Sequence, residues 1–201
     1  MTLHSQDVTV AYRAILRRIP QLQEERFWTS ESASRRTFAD LCGTLIVQAT
    51  EVRSIARLYL GLLGRFPDGL TFLPRDNDGL TYWTGLLRAF RAEHRAVPYR
   101  MALSYCIDEW FLSEEHKMLY APDLSVGEFA DAFAERLTGL RWADIDPPTE
   151  FSDPTTKAGY AVAIAESGIC KSHFNEMIDN ALRTTAGDAR CDQDAIVLPN
   201  A

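Results

Sequence analysis

Three segments of this chain repeat the spacing of an amphipathic helix and then stop on residues that end helices. In the first, Val8, Ala11, Tyr12, Ile15, Leu16 and Ile19 recur at i, i+3, i+4 and i+7, and Pro20 closes the run. In the second, Ile55, Leu58, Tyr59, Leu62 and Leu63 lead to Gly64, with Pro67 just beyond. In the third, Ser125 and Glu128 form a capping box ahead of Phe129, Ala132, Phe133 and Leu137, and Gly139 follows. No stretch sustains the alternation of a strand, so the predicted fold class is all-α.

The three runs align on their C-terminal ends. Segments 11–18, 58–65 and 133–140 place Arg17-Arg18, Gly64-Arg65 and Gly139-Leu140 in register. A turn and a short aromatic element follow each: Phe27-Trp28, then Gly79-Leu80-Thr81-Tyr82-Trp83, then Gly159-Tyr160. Each copy closes on a further amphipathic helix, marked by Phe38, Leu41, Cys42, Leu45 and Ile46; by Met101, Tyr105, Trp110 and Phe111; and by Phe174, Met177, Ile178 and Leu182. The reading is three tandem helix-turn-helix-helix repeats, at 7–52, 53–120 and 123–186. The third is degenerate. A unit of this size buries its apolar faces poorly alone, so the three are expected to pack into one helical body. Residues 187–201 are expected to leave it as an extended C-terminal arm, with Ile196, Val197 and Leu198 docking on a groove of this chain or a neighbouring copy.

Composition narrows the function classes. With 201 residues the chain can bury a core without disulfides or metal. Its net charge of −7 argues against nucleic acid or an anionic membrane surface as the main partner, since both want a basic face. The charge is uneven: residues 119–201 carry 6 basic and 14 acidic side chains, a net −8. Only Lys117, Lys157 and Lys171 among the basic residues are lysine, a bias that fits either guanidinium recognition of carboxylate and phosphate or a GC-rich genome. Neither a cleavable secretory signal nor a membrane span is read in the sequence, which makes a cytoplasmic location the default and the cell envelope or an exported complex the alternative.

The run Leu58-Tyr59-Leu60-Gly61-Leu62-Leu63-Gly64-Arg65-Phe66-Pro67-Asp68, with Gly79-Leu80-Thr81-Tyr82-Trp83 and Phe111-Leu112-Ser113-Glu114-Glu115 after it, resembles a bacterial tandem helical repeat family of unknown function. That family recurs in surface, S-layer-like and calcium-binding secreted proteins, and is distantly similar to phycobilisome linker domains. The resemblance covers 53–118 well, 7–52 moderately and 123–186 weakly. It implies binding or assembly as a scaffold or structural protein, with no reaction.

The candidate site residues follow from these patterns. Copy two expands a turn by an insertion at 69–77, where Asp68, Asp76 and Asp78 could present oxygens to calcium. The spacing lacks the glycine and bidentate glutamate of a calcium loop, and Asp78 also fits the N-cap of a helix from Gly79 to Phe90. Arg18 and Arg65 end equivalent helices, as caps for the last carbonyls or as anion or partner-carboxylate contacts. Tyr82 and Trp83, like Phe27 and Trp28, could stack on a sugar or pack in the core. Asp144, Asp146, Glu150 and Asp153 gather in a proline-bearing loop as an acidic docking patch for a basic partner, or as a solubilising surface.

Other chemistry finds little footing. Cys42, Cys106, Cys170 and Cys191 form no C-x-x-C pair; they read as buried thiols, or as one disulfide such as Cys170 to Cys191. Cys170 and His173 lie one turn apart and could ligate zinc with Cys191 as a distant third, but no fourth ligand is identifiable. The four histidines, His4, His94, His116 and His173, are read as mostly solvated. Nucleophile-elbow, zincin, phosphate-loop and dinucleotide signatures are missing. No catalytic residue, metal or cofactor is therefore assigned. The expected function is a non-enzymatic helical interaction or assembly module that binds a protein or glycan partner, itself included. The alternatives are a calcium- or carbohydrate-binding module built on the insertion, and an enzyme of unknown reaction.

Overall fold

Helix boundaries fall where a side chain can satisfy the orphan first-turn amides. Thr37, Asp78, Ser113, Ser125 and Thr156 each accept a hydrogen bond from the amide three residues on, and each opens a helix. The computed structural model describes residues 3–30, 35–70, 78–147, 149 and 154–196. Those residues are all-helical and contain no strand. The order is α1 (Ser5–Ala11), α2 (Leu22–Thr29), α3 (Phe38–Gln48), α4 (Thr50–Leu63), α5 (Gly79–Glu93), α6 (Tyr99–Ile107), α7 (Glu114–Leu119), α8 (Val126–Thr138), α9 (Lys157–Ala165) and α10 (Gly168–Ile196). A π-helical turn, Tyr12–Leu16, extends α1, and a 3-10 turn, Asp108–Leu112, joins α6 to α7.

The helix at the centre is α4. It buries Val52, Ile55, Leu58 and Leu62, but also Ser54, Arg57 and Gly61, so it is enclosed by α5, α7, α8, α9 and α10. Its close neighbour α9 buries Ala158 and every residue from Ala161 to Ala165, as expected of a helix that is apolar nearly all round. Small residues let helices approach: at Gly61, an added Cβ would lie 2.4 Å from Phe133 Cζ on α8.

Several expectations change. The first helix stops at Leu16 rather than Pro20, because Arg17 turns left-handed at φ 56°, and Ile19 is exposed. Residues 187–196 do not form an extended arm. They continue α10, which spans roughly 43 Å at 1.5 Å per residue and packs on α1, α3, α4 and α8. Arg190 Nε donates to Asp7 Oδ1 at 2.8 Å and tethers this extension to α1. Residues 197–201, with Val197 and Leu198, lie outside the described residues. A disulfide between Cys170 and Cys191 is excluded: they are separated by roughly 31 Å along one helix, far beyond bonding reach.

Candidate docking groove

The spacing of α6 separates two faces. Ala102, Leu103, Cys106 and Ile107 are buried against the core, and Trp110 continues that face into the 3-10 turn. Met101 and Tyr105, one turn apart on the opposite side, are each 56% exposed, and Leu112 beyond them is 74% exposed. The sequence reading chose Met101 and Tyr105 as part of the packed stripe. The alternative period through Ala102, Leu103, Cys106 and Ile107 was the signal for the buried face, and its small Ala and Cys side chains made it the weaker one to see.

This exposed row borders a groove whose far wall is the start of α9. One hollow, about 420 Å³, lies between Met101, Tyr105 and the segment from Pro154 to Gly159. A second, about 610 Å³, runs on past Leu112 and His116 to Lys157 and Ala158. Ser104, Asp108 and Thr156 line both. Gly159 keeps the wall low, since a Cβ there would meet Pro154 and the Thr156 hydroxyl at 3.2 and 3.3 Å. Tyr105 stacks on Phe90 of α5 with ring centroids 4.6 Å apart, which holds its ring at the rim.

Asp108 is the polar centre of the groove. Among the described residues its carboxylate has neither a hydrogen bond nor an ion pair, and partial burial pushes its carboxyl pKa up; Arg100 lines the first hollow with it, and Lys117 and Lys157 line the second. The floor beyond it is aromatic. His116 is buried, stacks on Tyr120 at 4.8 Å, and has Nδ1 3.3 Å from the Leu62 carbonyl oxygen. Burial holds its pKa down, so the ring is neutral at physiological pH. The expectation of a solvated histidine fails here, though it holds for His4, His94 and His173, which are exposed.

The residues singled out in the sequence do not gather at this groove. Arg18 gives both terminal nitrogens to Glu24 at 2.7 and 2.6 Å. Arg65 reaches Glu115 at 3.0 Å and Asp68 at 3.3 Å on an exposed surface. Asp78 caps α5 and faces Arg17, 3.6 Å away, in the interior. These contacts turn Asp68 and Asp78 toward different arginines, and Asp76 lies outside the described residues. Among the described residues no group of three His, Cys, Asp or Glu side chains could hold a metal ion. Each aromatic pair divides: Trp28 is buried and Phe27 exposed, while Trp83 packs on Trp110 at 5.1 Å and Tyr82 is exposed. Asp144 and Asp146 are exposed on the loop before α9; Glu150 and Asp153 fall outside the described residues.

The sequence reading missed Arg17. Its guanidinium is wholly buried and donates to the Gly69 carbonyl at 2.5 Å. Burial pulls its pKa down to about 10, which leaves it charged at neutral pH. Gly69, at φ 92°, lies so close that a Cβ would sit 2.5 Å from the Asp78 carboxyl carbon. Arg17, Gly69 and Asp78 thus fasten together the two ends of the copy-two insertion.

Among the described residues no helix is long and apolar enough to cross a membrane. Comparison of the chain with protein-family models, with curated proteins and with solved structures gives no match.

Proposed function

We propose that this chain is a non-enzymatic α-helical interaction module, and that the groove between α6 and α9 takes an amphipathic helix of a partner protein bearing a basic residue on its apolar face. The observation that carries this reading is Asp108. Among the described residues it is a partly desolvated carboxylate with no hydrogen bond or ion pair, lining the same hollows as Met101, Tyr105 and Leu112, three exposed apolar side chains. An ammonium or guanidinium supplied by the partner would relieve the desolvation of that carboxylate, while the partner's apolar residues cover the row. The acidic loop with Asp144 and Asp146 leads in the chain toward the Pro154 edge of the groove and favours the same sign of partner.

The three-repeat organisation belongs to this proposal. In its support, Arg17, Gly64 and Gly139, aligned in the sequence, all adopt the left-handed conformation at the ends of their helices. A tandem helical scaffold of this kind, like the bacterial repeat family that 53–118 resembles, would expose interaction faces rather than enclose a reaction centre.

The test uses a labelled amphipathic peptide with leucines at i, i+4 and i+7 and one lysine among them, and its glutamate counterpart. Fluorescence anisotropy should register the lysine peptide alone, with affinity that falls as salt rises. Asp108→Asn should weaken it about tenfold, the loss of one charge-assisted contact. Equal binding by both peptides, or by wild type and Asp108→Asn, would overturn the reading.

A further inference from the structure

A third hollow, about 380 Å³ and sharing no lining residue with the groove, opens where α4 begins. Its lining includes Arg18 from the segment after the π-helical turn, Arg88 and Arg91 from α5, Thr50 and Glu51 from the first turn of α4, and Tyr99 from α6. We infer that this cleft binds a small phosphate monoester, with the phosphate held by the arginines and the organic part against Tyr99.

The arginines are ordered before any ligand arrives. Arg88 donates from Nε to Glu51 at 2.7 Å and from its terminal nitrogens to the carbonyls of Leu16 and Arg17, which fixes the guanidinium across the end of the π-helical turn. Arg91 lies over the Tyr99 ring, 5.1 Å from its centroid. Its Nη1 donates to Glu51 at 2.9 Å, and among the described residues its other N–H groups have no acceptor. Arg18 is held by Glu24. Three guanidiniums against Glu24 and Glu51 leave a net +1 in a chain whose overall charge is −7. Concentrating positive charge here runs against that overall balance.

The remaining surface fits the same ligand. α4 starts on Ala49, whose methyl cannot cap it, and the positive end of the α4 dipole lies at Thr50 and Glu51 in the lining. The Tyr99 hydroxyl is turned away to Ser54 Oγ at 3.1 Å, so the phenol ring rather than its polar end meets the cleft. A forked guanidinium suits the oxygens of a phosphate better than an ammonium would, and the volume lies within the range of small-molecule sites.

Calorimetric titration with inorganic phosphate, phenyl phosphate and benzoate tests the inference. Phenyl phosphate should bind with a Kd below about 1 mM, and at least about tenfold more tightly than either other probe. Arg91→Gln, at a partly exposed position, should cut that affinity about tenfold, and Arg91→Lys should restore little of it. Binding of inorganic phosphate as tight as that of phenyl phosphate would overturn the monoester assignment. Absence of phenyl phosphate binding to wild type, or unchanged binding to Arg91→Gln, would overturn the site.

Discussion

Arg57 and Glu166, 109 residues apart in sequence, meet inside the protein with Nη2 and Oε1 2.6 Å apart and both side chains buried. Glu166 occupies the corner between α9 and α10, where it also accepts from Ser54 at 2.6 Å and from Lys171 at 3.0 Å. Arg57 completes the network by donating to the Ala165 carbonyl and to Asn175. The pair joins α4 to the α9–α10 corner, so the helix at the centre of the fold is anchored by charge as well as by apolar packing.

Removal of Arg57 leaves the buried Glu166 with only Ser54 and the more exposed Lys171 to balance it, and removal of Glu166 leaves the Arg57 guanidinium buried without a carboxylate. Arg57→Leu is expected to cost about 3–5 kcal/mol in urea denaturation. The double variant Arg57→Leu/Glu166→Leu should lose less than the two single variants added together, since neither charge remains. Additive losses would mean that the pair contributes no coupling.

Two glycines separate packing from helix propensity. Gly61→Ala places a methyl 2.4 Å from Phe133 Cζ and is expected to destabilise the protein by about 1–3 kcal/mol. At Gly85, on α5, no atom beyond the adjoining residues and the helix's own backbone lies within 4 Å of the added methyl, so Gly85→Ala should stabilise it by up to about 1 kcal/mol. Thermal melts of the two variants should move in opposite directions, and movement in the same direction would refute the close approach of α4 and α8.

His116 makes stability depend on pH. Its folded pKa lies below its unfolded value because burial disfavours the cation and Lys157 adds to that, while the Leu62 carbonyl opposes both. Below about pH 6.5 the unfolded chain therefore binds more protons at this position than the folded chain does. The stabilisation from the neutral ring is present above that pH and is lost as pH falls toward the folded pKa. Between pH 7.5 and 5.0 the urea midpoint of wild type should drop more than that of His116→Gln; equal drops would refute the buried neutral ring.

Thiol accessibility tests the core directly. Cys42, Cys106 and Cys170 are buried, and burial pushes their pKa values up to about 11, 11 and 12, whereas Cys191 is exposed. An aromatic disulfide reagent at pH 8 should titrate one thiol in the native protein and four in denaturant. Rapid loss of more than one native thiol would contradict the packing of α3, α6 and the start of α10.

What the sequence conveyed best was local. The stripes of α4 and α8, the Ser125–Glu128 capping box and the Asp78 cap depend on residues within a turn of each other, and all are present. Arg57 was illegible because its partner, Glu166, comes from a distant helix corner. The left-handed Arg17 was hidden for a related reason: Gly69 and Asp78, which hold it, lie across the fold. On α6, large Met101 and Tyr105 outweighed small Ala102 and Cys106 in the pattern. Burial was decided by the approach of α9, which the chain's local order does not encode.

Amide hydrogen exchange during titration with the lysine-bearing amphipathic peptide tests the groove between α6 and α9. Added protection should be confined to α6, the turn from Asp108 to Leu112 and the first turn of α9, and should disappear in Asp108→Asn. Protection centred on any other surface, or protection that survives in Asp108→Asn, would contradict it.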